Sequence, residues 1–426
     1  MDAALELLGQ AGTAAGRLLL QPFTYIAVLL IGMLAARQTR LERRLFYVRL
    51  TVWPRIVGPA VLGGLAAGIV LSAASLLLGV TLNGEAVYWL WGASLLLMLL
   101  RIRFMSFVYG AGLIALLQWT LGRFEPAASS EWYGPFAASL AEQDAAGLLL
   151  IAGLLQLAEA SLVAWRGGRG AGPLAVEGKR GRLVGGYQLQ TFWPVPLLLL
   201  VPSAAADAVL PWTPLLGEGP AGGWSMLGLP ALIGFSGLTT SLLPREKARQ
   251  ASVKLLLSGA ASTALAAASF WWTPFVPVAA LAAPLLHELV YHIERRREER
   301  TPPLYIQDDR GLRVLAVVPG TPADRMGIRA GEILHKVNGV RVRSHEDLYR
   351  GLLENSAFSK LEVLNLEGQL KFVQRARFEG EHHQLGVVLA PDERAAHVAG
   401  GVPRSLFDLF RQSGGARKRG GSSVSL

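Results

Sequence analysis

Long apolar segments follow one another from near the N-terminus to about residue 292, and a polar, turn-rich region comes after them. A helix needs about 20 mostly apolar residues to cross the hydrocarbon core of a bilayer. Segments that approach or reach this length predict nine membrane helices: Leu18–Ala36, Ile56–Val80, Ala86–Leu100, Phe104–Gly122, Ala146–Trp165, Phe192–Trp212, Trp224–Leu243, Leu255–Trp272 and Val276–His292. The third and the ninth are short, so eight or fewer spans remain an alternative.

The loops between these segments alternate in charge. Each odd-numbered segment is followed by arginine or lysine, whereas the loops after even-numbered segments are neutral or acidic. Because basic loops stay in the cytoplasm, nine spans would place the N-terminus outside the cell, and eight would place it inside. The C-terminal region is predicted to be cytoplasmic in both cases, since the ninth segment runs into Arg295, Arg296, Arg297 and Arg300.

The composition supports a membrane protein. Apolar residues make up 52% of the chain, charged residues only 17%, and the mean hydropathy is +0.37, whereas soluble domains carry about a quarter charged residues. The absence of cysteine excludes disulfides, thiolate nucleophiles and cysteine-ligated metals. The net charge of +10 lies in short runs between apolar segments, so it predicts a lipid bilayer rather than nucleic acid as the partner.

These patterns divide the chain into five predicted parts. They are an N-terminal segment (1–17), a transmembrane domain of about eight to nine helices (18–292), a basic linker (293–302), a small soluble domain (303–392) and a flexible basic tail (393–426). The fold class is therefore a polytopic α-helical membrane domain followed by a small cytoplasmic α+β domain.

The soluble domain contains short strand patterns separated by turn signals. Asn338-Gly339 is the strongest hairpin signal in the chain. Ser344 followed by Asp347 is a capping pattern that opens a helix. The predicted strands are Leu312–Val318, Ile333–Val337, Val340–Val342, Leu361–Leu366, Leu370–Phe378 and Leu385–Leu389.

The block V-P-G-T-P-A-D-R-M-G-I-R-A-G-E-I-L-H-K-V-N-G, Val318–Gly339, resembles a PDZ domain of the bacterial, permuted type, with Glu332 where aspartate is more usual. In such domains a peptide adds as a strand between a sheet edge and the second helix. The resemblance implies a carboxylate-binding loop and groove strand at Leu385, Gly386, Val387 and Val388, faced by His345, Leu348, Tyr349 and Leu352. A groove that is unused, or filled by the chain itself, remains an alternative.

The stretch L-H-E-L-V-Y-H, Leu286–His292, invites comparison with a zinc-binding helix. The zincin pattern needs histidines at i and i+4 on one helix face, but His287 and His292 are five residues apart, which rotates the second by about 140° from the first. No metal site is therefore predicted. Glu159 and Asp207 are acidic residues at membrane depth, and such residues mark transport pathways in some proteins.

The N-terminal block Q-P-F-T-Y-I-A-V-L-L (Gln21–Leu30), the following R-Q-T-R-L-E-R-R-L-F-Y-V-R (Arg37–Arg49) and the C-terminal E-G-E-H-H-Q-L-G-V-V together resemble the MinJ family of cell-division topological determinants. The resemblance implies a non-enzymatic membrane scaffold, without catalytic residues or cofactor, enriched at septa and poles. It also implies two partners, a DivIVA-like polar or septal protein and a MinD-like ATPase. Homo-oligomer formation stays open, as do two alternatives: a site-2-type intramembrane metalloprotease and a PDZ-containing transporter or sensor.

Overall fold

The computed structural model describes residues 2–50, 53–123, 134–178, 181–203, 212–216, 223–355, 358–376, 385–392, 397–399 and 416–418. The elements up to residue 300 are α1 Asp2–Leu20, α2 Pro22–Phe46, α3 Trp53–Leu78, α4 Ala86–Leu100, α5 Phe107–Leu121, α6 Gly134–Ala141, α7 Ala145–Arg166, β1 Gly172–Glu177, β2 Leu183–Ser203, β3 Gly223–Thr239, α8 Pro244–Trp271 and α9 Phe275–Arg300.

The helical membrane domain is confirmed, with changes at its N-terminal end. Helices α2, α3, α7, α8 and α9 are long and apolar enough to cross a membrane, and α4 and α5 are shorter apolar helices. The first predicted span, Leu18–Ala36, is interrupted at Gln21, and Pro22 starts a new helix because its missing N–H costs nothing at a first helical position. Helix α1 lies against β3, where the Gln21 side chain donates to the carbonyl oxygen of Gly228 at 2.8 Å.

The sixth and seventh predicted spans, Phe192–Trp212 and Trp224–Leu243, are wrong as helices. The chain forms two long antiparallel strands there, β2 and β3, paired from Tyr187↔Thr239 to Ser203↔Gly223. Prolines at 194, 196 and 202 explain the difference, because proline inside a helix removes a hydrogen bond and clashes with the preceding turn.

The hairpin lies along α3, and Pro194 and Pro196 are on the edge of β2 that faces this helix. The carbonyl groups of Pro194 and Pro196 lie against Gly64 and Gly68 of α3. Two residues on, the N–H of Leu198 donates to Ser72 Oγ at 2.8 Å. The backbone polar groups of residues 194, 196 and 198 all point toward α3. Because proline has no N–H, Pro194 and Pro196 leave no unpaired backbone donor against this apolar helix. Non-helical backbone at membrane depth requires such burial in protein.

The base of the hairpin is held by a buried charge cluster. Lys247 of α8 is 4% exposed, and its Nζ lies 2.8 Å from Glu294 and 3.3 Å from Glu298, both on α9. Glu298 also accepts hydrogen bonds from the backbone N–H groups of Thr240 (2.6 Å) and Ser241 (2.9 Å), just after β3. Lys247 therefore pairs with two carboxylates that connect α8, α9 and the end of β3, and Lys254 of α8 also pairs with Glu294.

We expect Lys247→Met to destabilise the protein by about 3 kcal/mol, because it leaves the mostly buried carboxylate of Glu298 without its lysine partner. The matched control is Arg249→Met, an exposed position on the same helix, for which we expect a change within about 0.5 kcal/mol. Thermal unfolding of the detergent-solubilised chain measures both. Equal melting temperatures for the two variants would contradict the assigned role of Lys247.

The C-terminal domain has the predicted order of elements. They are β4 Leu312–Val317, α10 Pro322–Arg325, β5 Ile333–Val337, β6 Val340–Arg341, α11 His345–Leu353, β7 Phe358–Leu364, β8 Leu370–Ala376 and β9 Val387–Leu389. The strands form one sheet in the order β8-β7-β5-β4-β9, with β6 paired to β5. A second hydrophobic core, separate from that of the membrane domain, lies under this sheet.

Two short strands lie in the region predicted as a flexible tail. β10 His397–Ala399 pairs antiparallel with β11 Ala416–Lys418, and β10 lies beside β1. The flexibility of the rest of this region stays a prediction.

Candidate functional site

The predicted groove lies at the edge strand of the C-terminal sheet. β9 pairs on one side with β4, through Val314↔Leu389 and Val317↔Val387, and ends the sheet on the other. An exposed sheet edge of this kind offers backbone N–H and C=O groups to an additional strand. The fold therefore supplies the strand edge that peptide binding requires.

The loop before β9 is fixed by contacts with the start of the domain. The Leu385 carbonyl accepts from the N–H of Ala323 at 3.0 Å, and the Gly386 carbonyl accepts from Val318 at 2.8 Å. Gly386 has a φ of +81° and packs directly against Thr321. Thr321 thus supports the predicted carboxylate loop. The sequence pattern did not indicate this contact.

Helix α11, the other predicted wall of the groove, is anchored at its start. Ser344 and Asp347 form a reciprocal capping box, which confirms the predicted cap. Asp347 accepts hydrogen bonds from the N–H groups of Arg343 at 3.1 Å and Ser344 at 3.0 Å, and these bonds lower the pKa of its carboxyl group. The capping box therefore fixes the residue at which α11 begins.

The eight predicted groove residues fall into four sets. Leu348, Leu352 and Leu385 are buried in the core of the domain, with Val387 packed against it. His345 and Tyr349 are exposed on α11. Val388 points to the other face of the sheet and joins the core of the membrane domain. Gly386 supplies backbone only.

That other sheet face docks on the base of the hairpin. The N–H of Gly185 on β2 donates to the carbonyl of Tyr305 at 2.8 Å. The hydroxyl of Tyr187 donates to the carbonyl of Leu315, and its ring lies 5.4 Å from that of Tyr305. The domain is therefore attached through the face opposite to α11, which leaves the groove on the other side of the sheet.

The stretch Leu286–His292 connects helices. The Nδ1 of His287 lies 3.3 Å from Gln156 Nε2 on α7. Glu288 accepts from Arg103 at 2.7 Å and from the Tyr109 hydroxyl at 2.8 Å. His292 lies near Glu288, 3.5 Å away, and is largely exposed. The two histidines thus face different neighbours.

Other candidate ligands do not converge on these histidines. Within the part of the chain that the structure describes, no group of three or more His, Cys, Asp or Glu residues is arranged to hold a metal. Glu159 is buried in α7, and Asp207 lies outside the described residues.

Comparison with known proteins finds one matching domain family and several similar proteins. The PDZ domain family model matches residues 313–364. The cell division topological determinant MinJ of Bacillus subtilis is 36% identical over 223 residues, which cover 52% of this chain and 56% of that protein. The probable cell division topological determinant MinJ of Lacticaseibacillus paracasei is 30% identical over 265 residues, which cover 60% of this chain and 69% of that protein.

The Lacticaseibacillus casei protein of the same description matches to the same extent. The aligned region is thus little more than half of the Bacillus subtilis protein's length. No solved structure matches the chain.

Proposed function

Because the chain belongs to the MinJ family of cell division topological determinants, we propose that it is a non-enzymatic membrane scaffold that helps to place the division site. It bridges a DivIVA-like polar or septal protein to a MinD-like ATPase. The C-terminal domain binds a peptide of a partner protein in the groove between β9 and α11. The chain is a multi-pass protein of the cell membrane with its PDZ domain in the cytoplasm.

The similarity to proteins named as topological determinants carries this proposal. Two structural features support it. The apolar helices suit a membrane anchor, and the edge strand β9 suits strand addition by a peptide. The arginines at the end of α9 favour a cytoplasmic position for the domain that follows.

We expect a fluorescent fusion of the full chain to collect at septa and poles of its host, and deletion to give filaments or minicells. The MinD-like protein should lose its polar enrichment in the deletion strain, and the fusion should lose its own when the DivIVA-like protein is absent. Fluorescence microscopy measures all three. Uniform membrane fluorescence together with normal division would contradict the proposal.

His292→Gln provides a control against the metalloprotease alternative. His292 is largely exposed, so the substitution should leave the fold unchanged, and a scaffold should localise and support division as before. Loss of division-site placement in this variant, with bound zinc in the purified wild-type protein, would favour the protease instead.

A further inference from the structure

A pocket lies where the basic ends of two membrane helices meet the hairpin. It has a volume of about 150 Å³ and is lined by residues of α3, α7 and β2. We name it the arginine pocket after Arg55, Arg166 and Arg169, which line it together with Thr191 and Trp193. Arg55 lies in the first turn of α3, and Arg166 is the last residue of α7, so the pocket opens at one edge of both spans.

The polar groups around the arginine pocket are donors and cations. Three arginines and no acidic residue line it, and of these Arg55 and Arg169 are exposed and Arg166 is half-buried. Among the ion pairs of the described residues, none involves Arg55, Arg166 or Arg169. Three guanidinium groups around one cavity repel each other unless an anion lies between them. The charge distribution therefore favours an anionic ligand.

The remaining lining of the pocket is apolar. Leu50, Ile56 and Ala60 complete its wall on the side of α3. The volume corresponds to roughly five water molecules, enough for a phosphate group with an ester substituent. Arginine forks match phosphate oxygens in pairs. A ligand with a phosphate at one end and hydrocarbon at the other fits both kinds of wall.

We propose that the arginine pocket binds the headgroup phosphate of an anionic phospholipid. The three arginines hold the phosphate oxygens, and the lipid chains follow the apolar wall into the bilayer. The lipid then ties α3, α7 and β2 together at the membrane edge, next to the hairpin base that carries the C-terminal domain.

The test compares lipid binding to the detergent-solubilised full chain by native mass spectrometry. Phosphatidylglycerol should bind the wild-type protein, and phosphatidylcholine should bind far more weakly. The triple variant Arg55→Gln, Arg166→Gln, Arg169→Gln should bind phosphatidylglycerol at least about tenfold more weakly, because each arginine near an anionic headgroup contributes to the attraction. Phosphatidylglycerol should also raise the melting temperature of the wild-type protein and not that of the variant.

Two further variants make the result specific. Arg169→Gln alone changes an exposed residue of the pocket, so it should fold normally, and it should weaken phosphatidylglycerol binding several-fold even if the triple variant fails to fold. The charge-matched control Arg40→Gln, Arg43→Gln, Arg249→Gln alters exposed arginines outside the pocket and should bind as the wild type does. Unchanged binding in Arg169→Gln, or equal weakening in the charge-matched control, would overturn the proposal.

Inorganic phosphate distinguishes a lipid from a free anion. Phosphate alone should compete with phosphatidylglycerol only weakly, since it lacks contacts with the apolar wall. If phosphate binds as tightly as the lipid, the pocket is a site for a soluble anion and the lipid assignment is wrong.

Discussion

Gly64→Val should separate the β2–β3 hairpin from α3 and cost about 3 kcal/mol or more of stability, as severe overpacking does. A Cβ atom at position 64 would lie 2.0 Å from the carbonyl oxygen of Pro194 and 2.8 Å from its carbonyl carbon. These are backbone atoms of a paired strand, so they cannot move aside as the end of a side chain can. The separation would also break the hydrogen bond from the Leu198 N–H to Ser72 Oγ, which would leave the Leu198 N–H without a partner.

Gly32→Val on the neighbouring helix α2 is the matched control. No atom lies within 4 Å of a Cβ placed there, so the variant should change stability by little more than the difference in helix propensity between glycine and valine. Thermal unfolding in detergent, with the yield of monodisperse protein as a second readout, measures both variants. Comparable stability of Gly64→Val and Gly32→Val would show that the hairpin does not pack on α3 as described.

Loop charge could not reveal the hairpin. A hairpin that enters and leaves at the same membrane edge returns the chain to its starting side, as a pair of helices does. The basic loops before β2 and after β3 therefore fit both structures equally well. The rule that basic loops stay inside constrains the sidedness of loops and gives no information on the conformation between them.

The local sequence did contain the missing signal. Pro194 and Pro196 are two residues apart, a period that suits a strand edge and is unfavourable within a helix. Apolar length alone outweighed this signal in the prediction. By contrast, α4 was predicted at its observed bounds, Ala86–Leu100, because its segment has no proline and ends at charged or polar residues.

The C-terminal domain was predictable in detail because its turns are specified locally. Asn338 and Gly339 both have positive φ, at 48° and 87°, as the hairpin signal requires. Its attachment was not predictable, since the contact between Gly185 and Tyr305 joins residues 120 apart by a backbone hydrogen bond that leaves no pattern in the sequence. The arginine pocket was hidden for a similar reason, because its arginines also serve as orientation signals.

Gly386→Ala should distort the predicted carboxylate loop and destabilise the C-terminal domain more than glycine replacement in a comparable turn does. A Cβ at 386 would lie 2.3 Å from the Cβ of Thr321, and the residue has a φ of +81°. Gly368 in the β7–β8 turn also has a φ of +81°, but no atom lies within 4 Å of its Cβ position. Both alanines bear a left-handed backbone cost of about 1–2 kcal/mol, and only Gly386→Ala adds the clash.

A double-mutant cycle with Thr321→Gly isolates that clash. Thr321→Gly removes the opposing Cβ and also a hydrogen bond from Thr321 Oγ1 to the Val318 carbonyl at 2.6 Å, so the single variant is destabilised too. In the double variant the clash is gone, and we expect a favourable coupling of at least about 1 kcal/mol by thermal unfolding of the full chain. Strict additivity would show that the contact between positions 386 and 321 does not hold the loop.

Localisation then tests whether the loop is used. If the groove binds a partner peptide, a fluorescent fusion carrying Gly386→Ala should lose its septal enrichment, because the backbone N–H groups that would hold the peptide carboxylate have moved. Gly368→Ala should retain it, and addition of Thr321→Gly to Gly386→Ala should restore it in part. Normal septal fluorescence of Gly386→Ala, despite its lowered melting temperature, would show that the edge of β9 is not the surface that recruits this protein.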